Sequence, residues 1–234
     1  MARTHKKGER KKQLQMQTMP AIKLGFAQMD LDDVNVINSY IDNNLHKMPD
    51  HSSSLVGQIK QDKRSAQPEF PLDDEMPKQL GNYFIGLAKE YASEHPLRQS
   101  IREGIGENEE YRINKMWSVH SYAGDYNPMH EHGTVSGRGV SIIVFLKVPP
   151  QIKNKGTPTQ TKNSGRTDGV TQFIWDMNSS YDAPRFKHPT YAHVYPEVGK
   201  ICLFPIWLHH QVSPFFGDGE RRTMSCNIDI INYA

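Results

Sequence analysis

With 234 residues, 36% of them hydrophobic and 23% charged, and a mean hydropathy of −0.68, the chain is long enough to bury a core without staples. No apolar run approaches the roughly 20 residues of a membrane helix, and two cysteines, Cys202 and Cys226, exclude a disulfide scaffold and a four-cysteine zinc site. A formal net charge of +2 is too small to make the whole body a nucleic-acid binder, whereas 11 histidines are unusual.

Residues 1–24 read as a basic arm. Arg3, Lys6, Lys7, Arg10, Lys11 and Lys12 face one nearby acid, Glu9. Such a run can touch nucleic acid, but it is more often a solvated, frayed terminus, and that is the expectation here. Basic rather than apolar first residues predict no secretory signal, and with no membrane span the expected location is the cytoplasm. A helix is predicted over 32–45, where Val34, Ile37, Ile41 and Leu45 fall at helical spacing. A second is predicted over 76–95, with Leu80, Phe84, Leu87 and Tyr91 on one face and Pro77 in the first turn. Between them, 51–72 mixes Ser, Gln, Lys and Pro around Leu55-Val56 and reads as loop. Residues 25–109 are thus expected to be a helical N-terminal part.

Near residue 110 the texture changes. Strands are predicted at 115–122, 139–148, 171–177, 199–204 and 221–231, punctuated by Gly124, Asn127-Pro128, Pro149-Pro150, Pro184, Pro196 and Gly217-Asp218-Gly219. Residues 150–170 have loop composition, and there is no internal repeat. Short strands without intervening helices predict an antiparallel sandwich or barrel over 110–234. The fold class is α+β, mainly β.

Three short pieces carry chemistry. The first is His130-Glu131-His132, after the turn 124–128. In an extended segment residues i and i+2 share a face, so the two imidazoles can converge on one metal while Glu131 points away. By itself this motif is weak. The second is the apolar run 201–208, which reads as a buried strand and ends in His209-His210; alternation lets only one of those two join a shared metal. The third is 219–230, which alternates cleanly. Met224, Cys226, Ile228 and Ile230 share one face; Arg221, Thr223, Ser225, Asn227 and Asp229 share the other. That polar face either meets water or lines a pocket, where Arg221 and Thr223 would present a guanidinium fork and a hydroxyl to a carboxylate.

Together the pieces resemble the double-stranded β-helix (jelly roll) of the iron(II)- and 2-oxoglutarate-dependent oxygenases. That family has His-x-Asp/Glu, a distant second His, and soon after it an Arg-x-Ser type anchor for 2-oxoglutarate. More closely, the chain is similar to prolyl-hydroxylase-like members found in bacteria and marine phages. The matching residues are Asn127, His130, His132, Val135-Ser136-Gly137, the apolar run 142–149, 204–214 (Phe-Pro-Ile-Trp-Leu-His-His-Gln-Val-Ser-Pro) and 220–227 (Glu-Arg-Arg-Thr-Met-Ser-Cys-Asn). The turn 168–173 (Asp-Gly-Val-Thr-Gln-Phe) is similar to the Gly-Gly-x-Thr-x-Phe turn of prolyl hydroxylase relatives, and 55–60 carries a weaker echo. The resemblance covers about residues 110–232.

The resemblance implies a hydroxylase of a peptidyl or small organic substrate that uses dioxygen, with iron(II) and 2-oxoglutarate. It selects His210 over His209, because the family histidine precedes x-Val-x-Pro. It implies His130, His132 and His210 as catalytic metal ligands, and Arg221 and Thr223 at the co-substrate; from its place on the predicted strand 115–122, Tyr122 is a further candidate for binding the cofactor. His132 stands where the wider superfamily has a carboxylate; Asp125 is the fallback. His120 and Ser118 share the face of Tyr122. The N-terminal helices are expected on the major sheet. Two rival readings are a cupin-like metalloenzyme without 2-oxoglutarate, which needs no anchor at Arg221, and a non-catalytic jelly-roll binding or assembly module. Neither substrate nor oligomeric state is legible.

Overall fold

The computed structural model describes residues 22–54, 57, 66–94, 109–134, 136–153, 167–176 and 190–232. The basic arm up to residue 21, most of the 55–60 echo, Val135 and the stretch 154–166 lie outside the described residues. In chain order the elements are β1 (Gly25–Gln28), α1 (Leu31–Asn44), a 3-10 turn (Ser52–Ser54), α2 (Glu75–Ser93), β2 (Glu109–Ser121), β3 (Asn127–His130), β4 (Gly139–Lys147), α3 (Pro150–Lys153), β5 (Thr171–Ile174), β6 (Tyr191–Val194), β7 (Lys200–Pro205), β8 (His209–Val212) and β9 (Arg221–Asn232).

The strands form two antiparallel sheets. The major one runs β1-β7-β4-β9-β2 and the minor one β3-β8-β5-β6. The long strands fall where apolar runs or clean alternation predict them. The expected helical part 25–109 also contributes edge strand β1, and α3 opens the stretch expected to be loop. Strands β1, β3, β6 and β8 have four residues each, too few to display a period.

Strand β4 shows how the layers are held. Its central residues are apolar on both faces because both faces are covered. Ile142, Val144 and Leu146 point to the helices, joining Val34, Ile37 and Ile41 of α1, Phe84, Ala88 and Ala92 of α2, and Met224, Cys226 and Ile228 of β9. Ile143 and Phe145 point the other way, joining Phe204 of β7, Phe173 of β5, Leu208 and Phe215 between the sheets. Each fully buried Phe or Ile contributes about 1.5–3 kcal/mol. No helix among the described residues is long and apolar enough to cross a membrane.

A polar cluster locks α1 to the start of β9. Buried Arg222 donates to Glu220 at 2.8 and 3.1 Å, to Asp42 at 2.7 Å and to Asn38 at 3.1 Å. Lys147 also reaches Glu220, at 3.2 Å, and His120 Nδ1 lies 2.6 Å from it. Burial by itself would raise the Glu220 carboxyl, but hydrogen bonds and charge from His120 and Arg222 outweigh it and hold the group well below the usual carboxylate range. Arg222→Ala leaves those acids half paired and should cost about 2–4 kcal/mol in urea unfolding. Because the folded-state pKa of Glu220 is depressed, its contribution is full above pH 4.5 and is lost as pH falls below that. The urea midpoint of Glu220→Gln should therefore fall less between pH 6 and pH 3 than that of the parent.

Candidate metal centre

Three histidines meet on the inner face of the minor sheet. His130 ends β3 and His210 lies opposite it in the β3–β8 register. His132 follows in an extended segment tethered by its own N–H to the carbonyl of Ile206 at 3.1 Å. One ring nitrogen from each lies within 4.8 Å of the other two. His130 Nδ1 donates to the Pro128 carbonyl at 2.7 Å and His210 Nδ1 to the Leu208 carbonyl at 2.9 Å. Those bonds fix the tautomers and leave both Nε2 lone pairs facing the cavity. His132 Nε2 is 3.1 Å from His210 Nε2.

The surroundings keep all three neutral. Burial lowers the pKa of His132 to about 4 and that of His210 to about 3, and it also lowers His130. Trp117 packs on His132, with ring centroids 5.7 Å apart, and Phe204 and Phe173 pack on His210. Three neutral imidazoles held this way suit iron(II) or another late first-row metal. His209 takes the opposite face, is exposed, and sits 3.9 Å from Glu131.

Arg221 projects into the same cavity, whose volume is about 280 Å³. The side chain is 2% exposed and donates from Nε to the Gly169 carbonyl at 3.1 Å and from Nη2 to Thr171 Oγ1 at 3.4 Å. Burial lowers its pKa to about 10, so it stays a cation, and no carboxylate of the described residues pairs with it. A buried, uncompensated charge is costly, so this guanidinium favours an anion. Its place along the cavity follows from the strands: Thr171 pairs with Val212 and Phe173 with His210. Two residues of strand put the Arg221 head about 7 Å beyond the histidines. Thr223 lines the cavity beside it. Gly169 lies at φ +64°, where a Cβ would meet Ile152 Cδ1 at 2.9 Å and Arg221 Cδ at 3.4 Å.

Two expectations need correction. Tyr122 is 37% exposed and does not line the cavity. Lys115, Trp117 and Val119 take the inward side of β2, so Ser118 and His120 face the helices, where Ser118 Oγ meets His120 Nε2 at 3.0 Å. Tyr122 follows them out of the site. Asp125 is no fallback ligand either: its carboxylate accepts the Tyr122 N–H at 2.7 Å and closes the turn. The inward residues of β2 were missed because Met116–Ser121 is buried on both faces, which hides the direction of the period.

Residues 115–227 match a family profile described as "Putative 2OG-Fe(II) oxygenase". Among solved structures, the chain is similar to a Pseudomonas putida prolyl-4-hydroxylase, at 14% identity over 91% of this chain and 94% of that one, with a TM-score of 0.51. It is also similar to two non-heme α-ketoglutarate-dependent enzymes of nogalamycin biosynthesis. The epimerase matches at 12% identity over 88% of this chain and 78% of that one, with a TM-score of 0.54. The carbocyclase matches at 8% identity over 90% and 82%, with a TM-score of 0.56. No curated protein matches. The two-sheet arrangement is thus the jelly roll of these oxygenases.

The neutral histidines set an acid limit on the metal-free protein. Their folded-state pKa values lie below 6.5, so the unfolded chain takes up protons first as pH falls. Stability should drop between pH 6.5 and about 4 by up to about 1.4 kcal/mol per pH unit for each such histidine. Urea unfolding in chelator should show this slope, and His132→Phe should reduce it.

Proposed function

We propose that this chain works as the 2OG-Fe(II) oxygenases whose profile its residues 115–227 match, with His130, His132 and His210 holding the iron(II) and Arg221 and Thr223 holding the far carboxylate of 2-oxoglutarate. The reaction is the hydroxylation of a peptidyl or small organic substrate by dioxygen. The observation that carries this reading is the pairing of three converging imidazoles with a buried arginine that lacks a carboxylate, set apart by about the reach of a five-carbon dicarboxylate. A cupin-like enzyme without 2-oxoglutarate needs no such anchor, and a metal analysis of the purified protein separates a non-catalytic jelly-roll module.

Iron(II) with 2-oxoglutarate supplies the oxidation: dioxygen is reduced as the keto acid loses carbon dioxide to become succinate, and one oxygen atom enters a substrate C–H bond. This chain supplies position and dryness. The Pro128 and Leu208 carbonyls hold the rings of His130 and His210, so their lone pairs are set before metal arrives. Arg221, fixed by Gly169 and Thr171, orients the dicarboxylate along the cavity and leaves the side by Trp117 for substrate. Phe173, Phe204 and Trp117 keep bulk water off the rings.

Anaerobic titration tests the assignment. Iron(II) with 2-oxoglutarate should give the weak visible charge-transfer band of a chelated keto acid. His210→Ala should lose it, and His209→Ala should keep it. Arg221→Ala should weaken 2-oxoglutarate binding by about 2–4 kcal/mol while iron affinity holds. His132→Ala should lose iron on the scale of His130→Ala, and His132→Asp should restore it. Parity of His132→Ala with the parent would remove His132 from the ligand set.

A further inference from the structure

We propose that the cavity binds its substrate through an anionic group, a carboxylate or a phosphate, paired with Lys115 on the side of the histidines opposite Arg221. The inference rests on the assignment of Arg221 to 2-oxoglutarate.

The floor of the cavity is a ladder made by β2 and β9. In register, Lys115 pairs with Asn227, Trp117 with Ser225, Val119 with Thr223 and Ser121 with Arg221. Lys115, Trp117, Val119, Arg221, Thr223, Ser225 and Asn227 all line the cavity. The ladder therefore carries a cation at each end, separated by about 20 Å of strand. The histidines stand over the Trp117 rung, because the His132 ring packs on that indole. Arg221 lies toward one end from there. One rung the other way, about 7 Å along the strand, lies Lys115. With one cation engaged by the co-substrate, the second remains for whatever occupies the other half.

The chemistry around Lys115 fits an oxyanion. Its ammonium has three donors, one of which goes to His51 Nδ1 at 3.2 Å. His51 Nε2 in turn lies against the Glu69 carboxylate, so that carboxylate is engaged by the imidazole. Among the described residues no carboxylate forms an ion pair with Lys115 itself, which leaves its other donors for a ligand. Across the rung, Asn227 Oδ1 accepts the Ser141 hydroxyl at 2.6 Å, which leaves its NH2 as a donor beside the ammonium. The substrate class is an organic acid or a phosphate ester. The oxidised carbon lies roughly one strand rung from the anion.

The test uses the full chain loaded anaerobically with iron(II) and 2-oxoglutarate, reading the charge-transfer band. The probes are matched pairs: N-acetyl-β-alanine against its carboxamide, and glycerol 3-phosphate against glycerol. At least one acid should shift the band about tenfold or more tightly than its neutral partner, the worth of one charged hydrogen bond. The pair that responds tells carboxylate from phosphate. Lys115→Met and Lys115→Gln should keep the band and lose the preference, and Lys115→Arg should retain it. Neutral probes binding as well as acids, a band unmoved by all four, or Lys115→Met binding the acid like the parent would each overturn the proposal. A band that never forms would instead overturn the metal and co-substrate assignment, and this inference with it.

Discussion

The structure depends on a strand that buries two unlike faces. β9 sets Met224, Cys226, Ile228 and Ile230 against the helices and turns Arg221, Thr223, Ser225 and Asn227 into the space between the sheets. A slip of one residue would exchange the faces, sending an arginine into the helix-packed core and the apolar set into the cavity. The consecutive arginines guard against this. Arg222 is matched on the helix side by Glu220, Asp42 and Asn38, while among the described residues Arg221 on the cavity side hydrogen-bonds a carbonyl and a hydroxyl and no carboxylate. The matched one fixes the register; the unmatched one is left for a ligand.

The metal centre depends on that register at second hand. β4 and β7 continue the major sheet from β9, and their inward residues Phe145 and Phe204 support Phe173 and His210 from below. The minor sheet hangs its histidines on short strands whose ring orientations come from nearby carbonyls, not from acidic side chains. Backbone acceptors orient a ring without adding negative charge, so the imidazoles stay neutral.

Much of this was legible in the sequence because the informative periods were long. Both helices follow from four apolar positions each, and β9 follows from clean alternation over its length. The pairing of His130 with His210 is a contact between two four-residue strands, and no local period announces it. The family resemblance, resting on the spacing of His-x-His, His210 and Arg221, was the signal that brought them together. The same spacing says nothing of β2, where burial on both faces made Tyr122 and Trp117 equally eligible. Strand alternation offered the face of Ser118, His120 and Tyr122; the register chose Trp117 and with it Lys115.

Charge balance ties the two halves of the cavity together. Arg221 and Lys115 are positive, and on the proposed assignment the iron adds more positive charge while its three ligands add none. A carboxylate at position 132 would offset part of that charge permanently; an imidazole leaves that part to be neutralised by what binds. The dicarboxylate co-substrate removes a share and the remainder persists at the Lys115 end, inside walls of Trp117, Val119 and Ile143 where a field is weakly screened. On the two proposals together, neutral ligands, a second cation and an anionic substrate form one design: the carboxylate missing at position 132 would be compensated by a negative charge that arrives with the substrate.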